Sequence, residues 1–215
     1  MKITLLIDNQ NSWIMSYVDI AVTSLSKDHD VLLCQSADDV REGDLLFVLA
    51  CTRKIPENIL KRNVHNLVIH ESSLPEGKGW SPMAWQILEG KKRIPIVMFE
   101  AVQEIDAGNV YYKDYIDLDG TELLNDLRLK QWDKTKELID RFINDWPNVD
   151  AVPQEGESTY YRRRTRADDE INSEETLATL FNKLRIVDNE KYPAWFQYNG
   201  QKYLLKIYKE SDHEE

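Results

Sequence analysis

The chain has 215 residues, 42% of them hydrophobic, with 38 acidic against 27 basic side chains and a formal net charge of −11. That length supports one core of ordinary size with an appendage, and nothing suggests a second full domain. The acidic balance argues against the cationic face that grips a nucleic-acid backbone, so no nucleic-acid partner is expected.

No apolar run approaches the roughly 20 residues of a membrane span, so no membrane partner is expected. The first residues read directly as a strand, without the charged and apolar regions of a leader. Cys34 and Cys51 lie in or beside apolar strands with no spacing motif. They read as reduced thiols of a cytosolic (cytoplasmic) protein, and no metal site is expected.

In chain order, residues 1–7 (M-K-I-T-L-L-I) form a first buried strand. The polar loop Asp8-Asn9-Gln10-Asn11-Ser12 follows, with Ser12 as N-cap of a helix over residues 13–26. Strands are predicted at 31–34 and 45–51, then a short helix opened by Pro56, then a β-branched strand ending at Ile69. A long loop runs through Trp80 to a helix over residues 82–88 closed by Gly90. Residues 94–99 make the next strand, and 110–116 an antiparallel edge partner. Thr121 starts a long helix whose Leu124, Leu127, Leu138, Phe142 and Trp146 form a core-facing stripe, read as packing only.

This alternation predicts an α/β, doubly wound, Rossmann-like fold with a mostly parallel sheet over residues 1–150. Residues 151–215 form a small C-terminal extension. It comprises a polar loop, a helix over 174–187, a β-hairpin turned at Asn199-Gly200 and an acidic tail expected to be disordered. The hairpin's Trp195, Phe196, Tyr203 and Leu205 offer apolar surface, either to cover this chain's own core or to pair two subunits into a homodimer.

Two residues sit where apolar strands give way to polar loops. His70 follows Leu67-Val68-Ile69, and Asp106 lies in the turn-forming D-A-G beyond the 94–99 strand. Open α/β sheets bind ligands past their strand ends, so the two are candidates to share one site. A His–carboxylate pair suits proton transfer near neutral pH. Taken alone, a histidine at a strand end and an aspartate making a turn are ordinary structural features. The flanking residues tip the balance.

The first loop has no glycine to let backbone approach a phosphate. Asn9, Asn11, Ser12 and Trp13 instead offer amides, a hydroxyl and a ring suited to sugar hydroxyls or a base. Helix capping and core packing are the alternative roles for Ser12 and Trp13. In E-G-K-G-W-S-P, Gly77 and Gly79 permit an unusual backbone path from which Lys78 projects, with Trp80 beside it. A plain surface loop is the alternative. Arg162, Arg163 and Arg164 are a basic cluster in an acidic chain, read from charge alone as pairing with surface carboxylates.

H-E-S-S-L-P, then K-G-W-S-P-M-A-W, then E-I-D-A-G resembles the formyltransferase family that uses 10-formyltetrahydrofolate. That family carries N-x-H-x-S-x-L-P, then R-G-x-x-P-x-x-W, then D-[AT]-G. His70, Ser72, Leu74, Pro75, Gly79, Pro82, Trp85 and Asp106 fall in place. One position departs: the family's asparagine two residues before the histidine is Val68, which removes a side-chain donor to the formyl oxygen. Farther on, T-Y-Y-R-R-R-T-R-A-D-D-E-I and R-I-V-D-N-E-K-Y-P-A-W-F are similar, more loosely, to formyltransferases acting on nucleotide-linked amino sugars.

The resemblance implies a Rossmann-like formyltransferase fold with His70 and Asp106 catalytic. Ser72, Lys78, Gly79, Trp80 and the first loop would meet the amine substrate. The cosubstrate, 10-formyltetrahydrofolate, would lie against Cys51, Thr52, Ile55, Val102 and Ile105. Transfer to tRNA is disfavoured by charge and length, and a ribonucleotide amine by the missing glycine-rich loop. A nucleotide sugar remains. The V-I-H-E-S-S-L-P-x-G-K-G-W-S-P form is similar to the variant of pseudaminic acid pathways, whose substrate would be a UDP-4-amino-4,6-dideoxy-N-acetyl hexosamine. A non-catalytic folate or nucleotide-sugar binder, which Val68 would favour, and a formyltetrahydrofolate hydrolase are the alternatives.

Overall fold

A computed structural model describes residues 1–210; the expected disordered tail lies outside the described residues. The chain runs β1 (Lys2–Leu6), α1 (Met15–Leu25), β2 (Asp30–Cys34), β3 (Gly43–Val48), α2 (Glu57–Leu60) and β4 (Asn63–His70). A two-residue β5 (Lys78–Gly79) and α3 (Pro82–Leu88) lead to β6 (Arg93–Glu100), β7 (Val110–Asp117) and α4 (Leu124–Asp145). The short β8 (Tyr160–Tyr161), α5 (Leu177–Arg185), β9 (Ala194–Tyr198) and β10 (Gln201–Leu205) complete it.

Six strands form one sheet in the order β2-β1-β3-β4-β6-β7. The first four are parallel. Their near-continuous apolar runs suit strands covered on both faces. Alternate residues divide between the layers. Ile3, Leu5, Leu45, Phe47 and Leu67 face the core shared with α1 and α4, while Leu6, Leu46 and Val48 pack with Val40, Ile55 and Ile59.

Beyond β4 the sheet is antiparallel, with His70 opposite Val97 and Leu67 opposite Glu100. The loop and α3 return the chain at the end where β4 finishes, so β6 starts there and runs the other way. Asp106 therefore does not stand at a strand end parallel to that of His70. β7 pairs antiparallel with β6 on the sheet edge.

Two helix expectations need correction. α1 begins at Met15, with Ile14 in the cap position and no side-chain cap. The polar turn before it closes on itself: Asn11 N–H donates to Asn9 Oδ1 and Ser12 N–H to the Asn9 carbonyl. Ser12 meets the helix only through its own carbonyl, which accepts from Met15 N–H. Such local Asx bonding competes with capping. α4 does bury Leu127, Leu138 and Phe142, but part of its surface faces a cavity rather than packed core.

The C-terminal hairpin turns at Asn199 and Gly200, both at positive φ, as a two-residue turn requires. Phe196 and Leu205 pack onto this chain's own small core of Ile171, Leu180, Leu184, Val187 and Ala194, and Trp195 is buried. Tyr203 stacks on Phe196 and stays half exposed. The buried guanidinium of Arg185 fastens α5 to the sheet unit, 3.2 Å from Glu122, whose own carboxylate accepts the Asp119 and Gly120 N–H groups.

Candidate active site

A cavity of about 450 Å³ opens beyond the carboxyl ends of β3 and β4. Residues 49–55, 68–71, 79–84, 101–102 and 104–106 line it, along with Trp13 and Ile14 ahead of α1 and parts of α3 and α4. One wall is loop. Asp8, at the end of β1, reaches across to accept the Thr52 and Arg53 N–H groups at 2.8 and 2.9 Å and the Thr52 hydroxyl. That carboxylate fixes the path after β3, where Ala50 sits at φ 49°. Cys51 Sγ lies 3.4 Å from the Leu6 carbonyl, and burial pushes its thiol up to about 12. It is a protonated wall residue rather than a nucleophile.

The facing loop after β6 crosses tightly. A Cβ on Gly108 would fall 1.7 Å from the Glu100 carbonyl oxygen, so only glycine fits there. Gln154, from the polar stretch after α4, donates to the carbonyls of Asp106 (3.1 Å) and Gly108 (2.8 Å). These contacts hold Asp106 at φ 53°, in the left-handed region.

His70 and Asp106 both line this cavity, joined through one loop rather than by direct contact. His70 Nε2 lies 2.9 Å from the Gly77 carbonyl, and Gly79 N–H donates to Asp106 Oδ2 at 2.9 Å. A carbonyl only accepts, so Nε2 carries the proton and Nδ1 keeps no partner among the described residues. The loop between them is pinned by pairing with β8, where a Cβ on Gly79 would meet the Tyr161 carbonyl oxygen at 2.4 Å.

A third titratable group, which the sequence reading passed over, stands next to the histidine. Glu71 lines the cavity and accepts from Gln131 Nε2 of α4 at 2.7 Å, while its main-chain carbonyl accepts from Gln86 Nε2 of α3 at 2.6 Å. Burial raises its carboxyl above the usual range, against the pull of His70, Gln131 and its own N–H and with a push from Asp106. Arg128 and Thr135 of α4 line the same wall, and Arg128 is tied to Asp188. A stripe analysis assigns such polar helix positions to solvent, so only the tertiary structure reveals them.

The other expected site residues divide. Trp13, Cys51, Thr52, Ile55, Gly79, Trp80, Val102 and Ile105 line the cavity; Asn9, Asn11, Ser12, Ser72 and Lys78 do not. Ser72 is buried with an unpartnered hydroxyl beneath Gly77. Lys78 is buried, 4.0 Å from Glu104 and over the Tyr160 ring, because β5–β8 pairing covers it. In the basic cluster, Arg162 pairs with Asp168, holding that carboxyl far below its usual range, and Arg164 and Arg166 pair with Asp169. Arg163 instead stacks over Trp80, 4.8 Å from the ring centre. Among the described residues no cluster of His, Cys, Asp and Glu could hold a metal ion, and no helix is long and apolar enough to cross a membrane.

A mostly parallel sheet with a cavity beyond its strand ends is the doubly wound α/β class, carrying here a histidine and a carboxylate in the cavity wall. The formyl transferase family profile matches residues 22–143, more than half of the sequence, and the chain belongs to that family. The methionyl-tRNA formyltransferase of Rickettsia massiliae is 27% identical over 175 residues, 80% of this chain and 58% of that protein. The chain thus spans little more than half the length of the curated relatives it matches. The structure of a methionyl-tRNA formyltransferase from Clostridium thermocellum superposes with a TM-score of 0.77 at 21% identity, covering 100% of this chain and 95% of that one. A 4-N formyltransferase from Francisella tularensis gives 0.74 at 18% identity, covering 96% of each chain. These two share the fold.

Proposed function

We propose that this protein transfers a formyl group from 10-formyltetrahydrofolate to the primary amine of a nucleotide-linked amino sugar, of the UDP-4-amino-4,6-dideoxy-N-acetyl hexosamine type. The observation that carries the reading is the placement of His70 and Asp106 in one cavity, tied to each other by the 77–79 loop.

The walls fit the folate. Ala50, Val102 and Ile105 make no main-chain hydrogen bonds to described residues, and the Val102 and Ile105 side chains are exposed at 41% and 61%. Unspent amides beside apolar side chains suit a flat bicycle with donor and acceptor edges. The bound folate supplies an electrophilic formyl carbon attached to nitrogen. Asp106, as carboxylate, accepts the proton that the amine sheds on attack and returns it to the departing nitrogen. His70, with Nε2 spent on Gly77, donates from Nδ1 as the imidazolium to the oxygen on which negative charge develops. One such donor is typically worth about 10²–10³ in rate. Arg163, stacked on the cavity-lining Trp80, takes the anionic part of the amine substrate in place of the buried Lys78.

The relatives' names set the competing substrate, methionyl-tRNA. Against it stand the net charge of −11 and the spending of Arg162, Arg164 and Arg166 in ion pairs. The test is incubation with 10-formyltetrahydrofolate plus UDP-amino sugars, methionyl-tRNA or no amine, following tetrahydrofolate release and product mass. Sugar-dependent release with a formylated sugar supports the proposal. Release without any amine indicates hydrolysis, release only with methionyl-tRNA reassigns the substrate, and none in any arm indicates a binder.

A further inference from the structure

The developing charge on a formyl oxygen needs donors, and the strand end supplies few. Val68 lines the cavity with a purely apolar side chain. His70 has only Nδ1 left to offer. Gln131 spends its amide on Glu71. The polar group on this wall adjacent to His70 in the chain is the Glu71 carboxyl, with Thr135 and the ion-paired Arg128 farther along α4. Its Oε1 is held by Gln131, and its other oxygen accepts from no other described residue.

We propose that Glu71 is a catalytic residue that works as the neutral acid, donating a hydrogen bond from the oxygen that Gln131 does not hold to the formyl oxygen beside His70. This rests on the formyl-transfer reading above and adds a participant to it. Three features of the structure agree. Glu71 sits on the residue next to His70 in chain and in the same cavity wall. It is clamped from two helices, by Gln86 on its carbonyl and Gln131 on its side chain, so its direction is fixed. The groups bonded to it carry no charge: both glutamine contacts are neutral, Arg128 is tied to Asp188, and of its charged neighbours Asp106 raises its carboxyl while His70 lowers it. Burial and Asp106 thus favour the protonated form, with His70 opposing. In this form the acid stays protonated throughout. It receives no charge, and the proton leaving the amine still travels by Asp106.

The assignment separates from a purely structural role by comparing two variants. Glu71→Gln keeps the shape and puts an N–H donor where the acid proton was, so its turnover falls by about tenfold or less. Glu71→Ala removes the donor and falls by about 10²–10³. Equal losses in both variants, or Glu71→Ala retaining a third of wild-type turnover, would overturn the proposal. A readout free of activity uses protein labelled with ¹³C at the glutamate carboxyls, with the Glu71 line assigned by its absence in Glu71→Gln. The line is expected to stay at the neutral-acid position after the surface carboxylates have ionised; titration together with them contradicts the assignment. If the wild type transfers no formyl group to any amine, the functional reading fails, while the carboxyl spectrum still decides the state of Glu71.

Discussion

The two walls of the cavity are made in opposite ways. The loop wall, residues 49–55, 101–102 and 104–106, presents main chain apart from the Asp106 carboxylate, and its shape is enforced from outside by Asp8 and Gln154 and by a glycine at 108. The wall of α3, α4 and the end of β4 presents side chains: His70, Glu71, Gln131 and Thr135. Main-chain recognition tolerates almost any sequence that holds the path, whereas the side-chain wall depends on each residue type. Chemistry should therefore be broken by single changes on the second wall and at Asp106, and affinity by changes to what props the rest of the first.

The largest loss is expected at the two residues that share the 77–79 loop. His70→Asn or Asp106→Asn should lower turnover by more than about 10³ while circular dichroism and melting stay near wild type. A tenth of the activity surviving in either variant would remove that residue from the mechanism.

Away from the cavity, Arg185→Ala leaves the Glu122 carboxylate buried without its guanidinium, although Lys130 stays 3.2 Å away. Breaking a buried pair of this kind costs about 3–5 kcal/mol, to be read from denaturant unfolding. A cost below 1 kcal/mol would mean that α5 is fastened chiefly by its apolar core.

A smaller effect sharpens the contrast between the walls. Asp8→Ala frees the Thr52 and Arg53 amides and the Thr52 hydroxyl from their carboxylate and loosens the loop, so KM for the folate should rise about tenfold, roughly the worth of one hydrogen bond, with little change in kcat. A kcat effect as large as that at His70 would show that the 49–55 loop also positions the reacting groups.

The smallest effect concerns stability against pH. Glu71 has a carboxyl raised in the folded state, so folding is opposed once the unfolded chain can ionise there. The penalty is absent in acid, below the ordinary glutamate value, and grows as pH rises toward the folded-state value. Glu71→Gln should thus melt higher than wild type at neutral pH, with the gap closing near pH 4. A gap that does not depend on pH would contradict a raised carboxyl.

Much of this was legible in the sequence, for identifiable reasons. Apolar runs gave the strands, and the breaks after Ile69 and Phe99 placed His70 and Asp106 near a ligand site. Strand direction was not legible, because a buried run reads the same in either orientation, and β6 proved antiparallel to β4. The supports of the loop wall escaped because they are long-range: Gln154 meets Gly108 from 46 residues away, and Asp8 meets Thr52 from 44. Lys78 looked free in its glycine-flanked loop until Tyr160 and Tyr161 paired over it. Glu71 carried a signal, a carboxylate directly after the histidine, but its meaning depended on Gln131 arriving from α4.

The most direct test of the central claim is a mass measurement of the amine product after incubation with 10-formyltetrahydrofolate and a UDP-4-amino-4,6-dideoxy-N-acetyl hexosamine, for wild type and His70→Asn. The account predicts one formyl group gained per tetrahydrofolate released with wild type, and no gain with the variant. Equal formylation by both proteins, or tetrahydrofolate released with the sugar left unchanged, would contradict it.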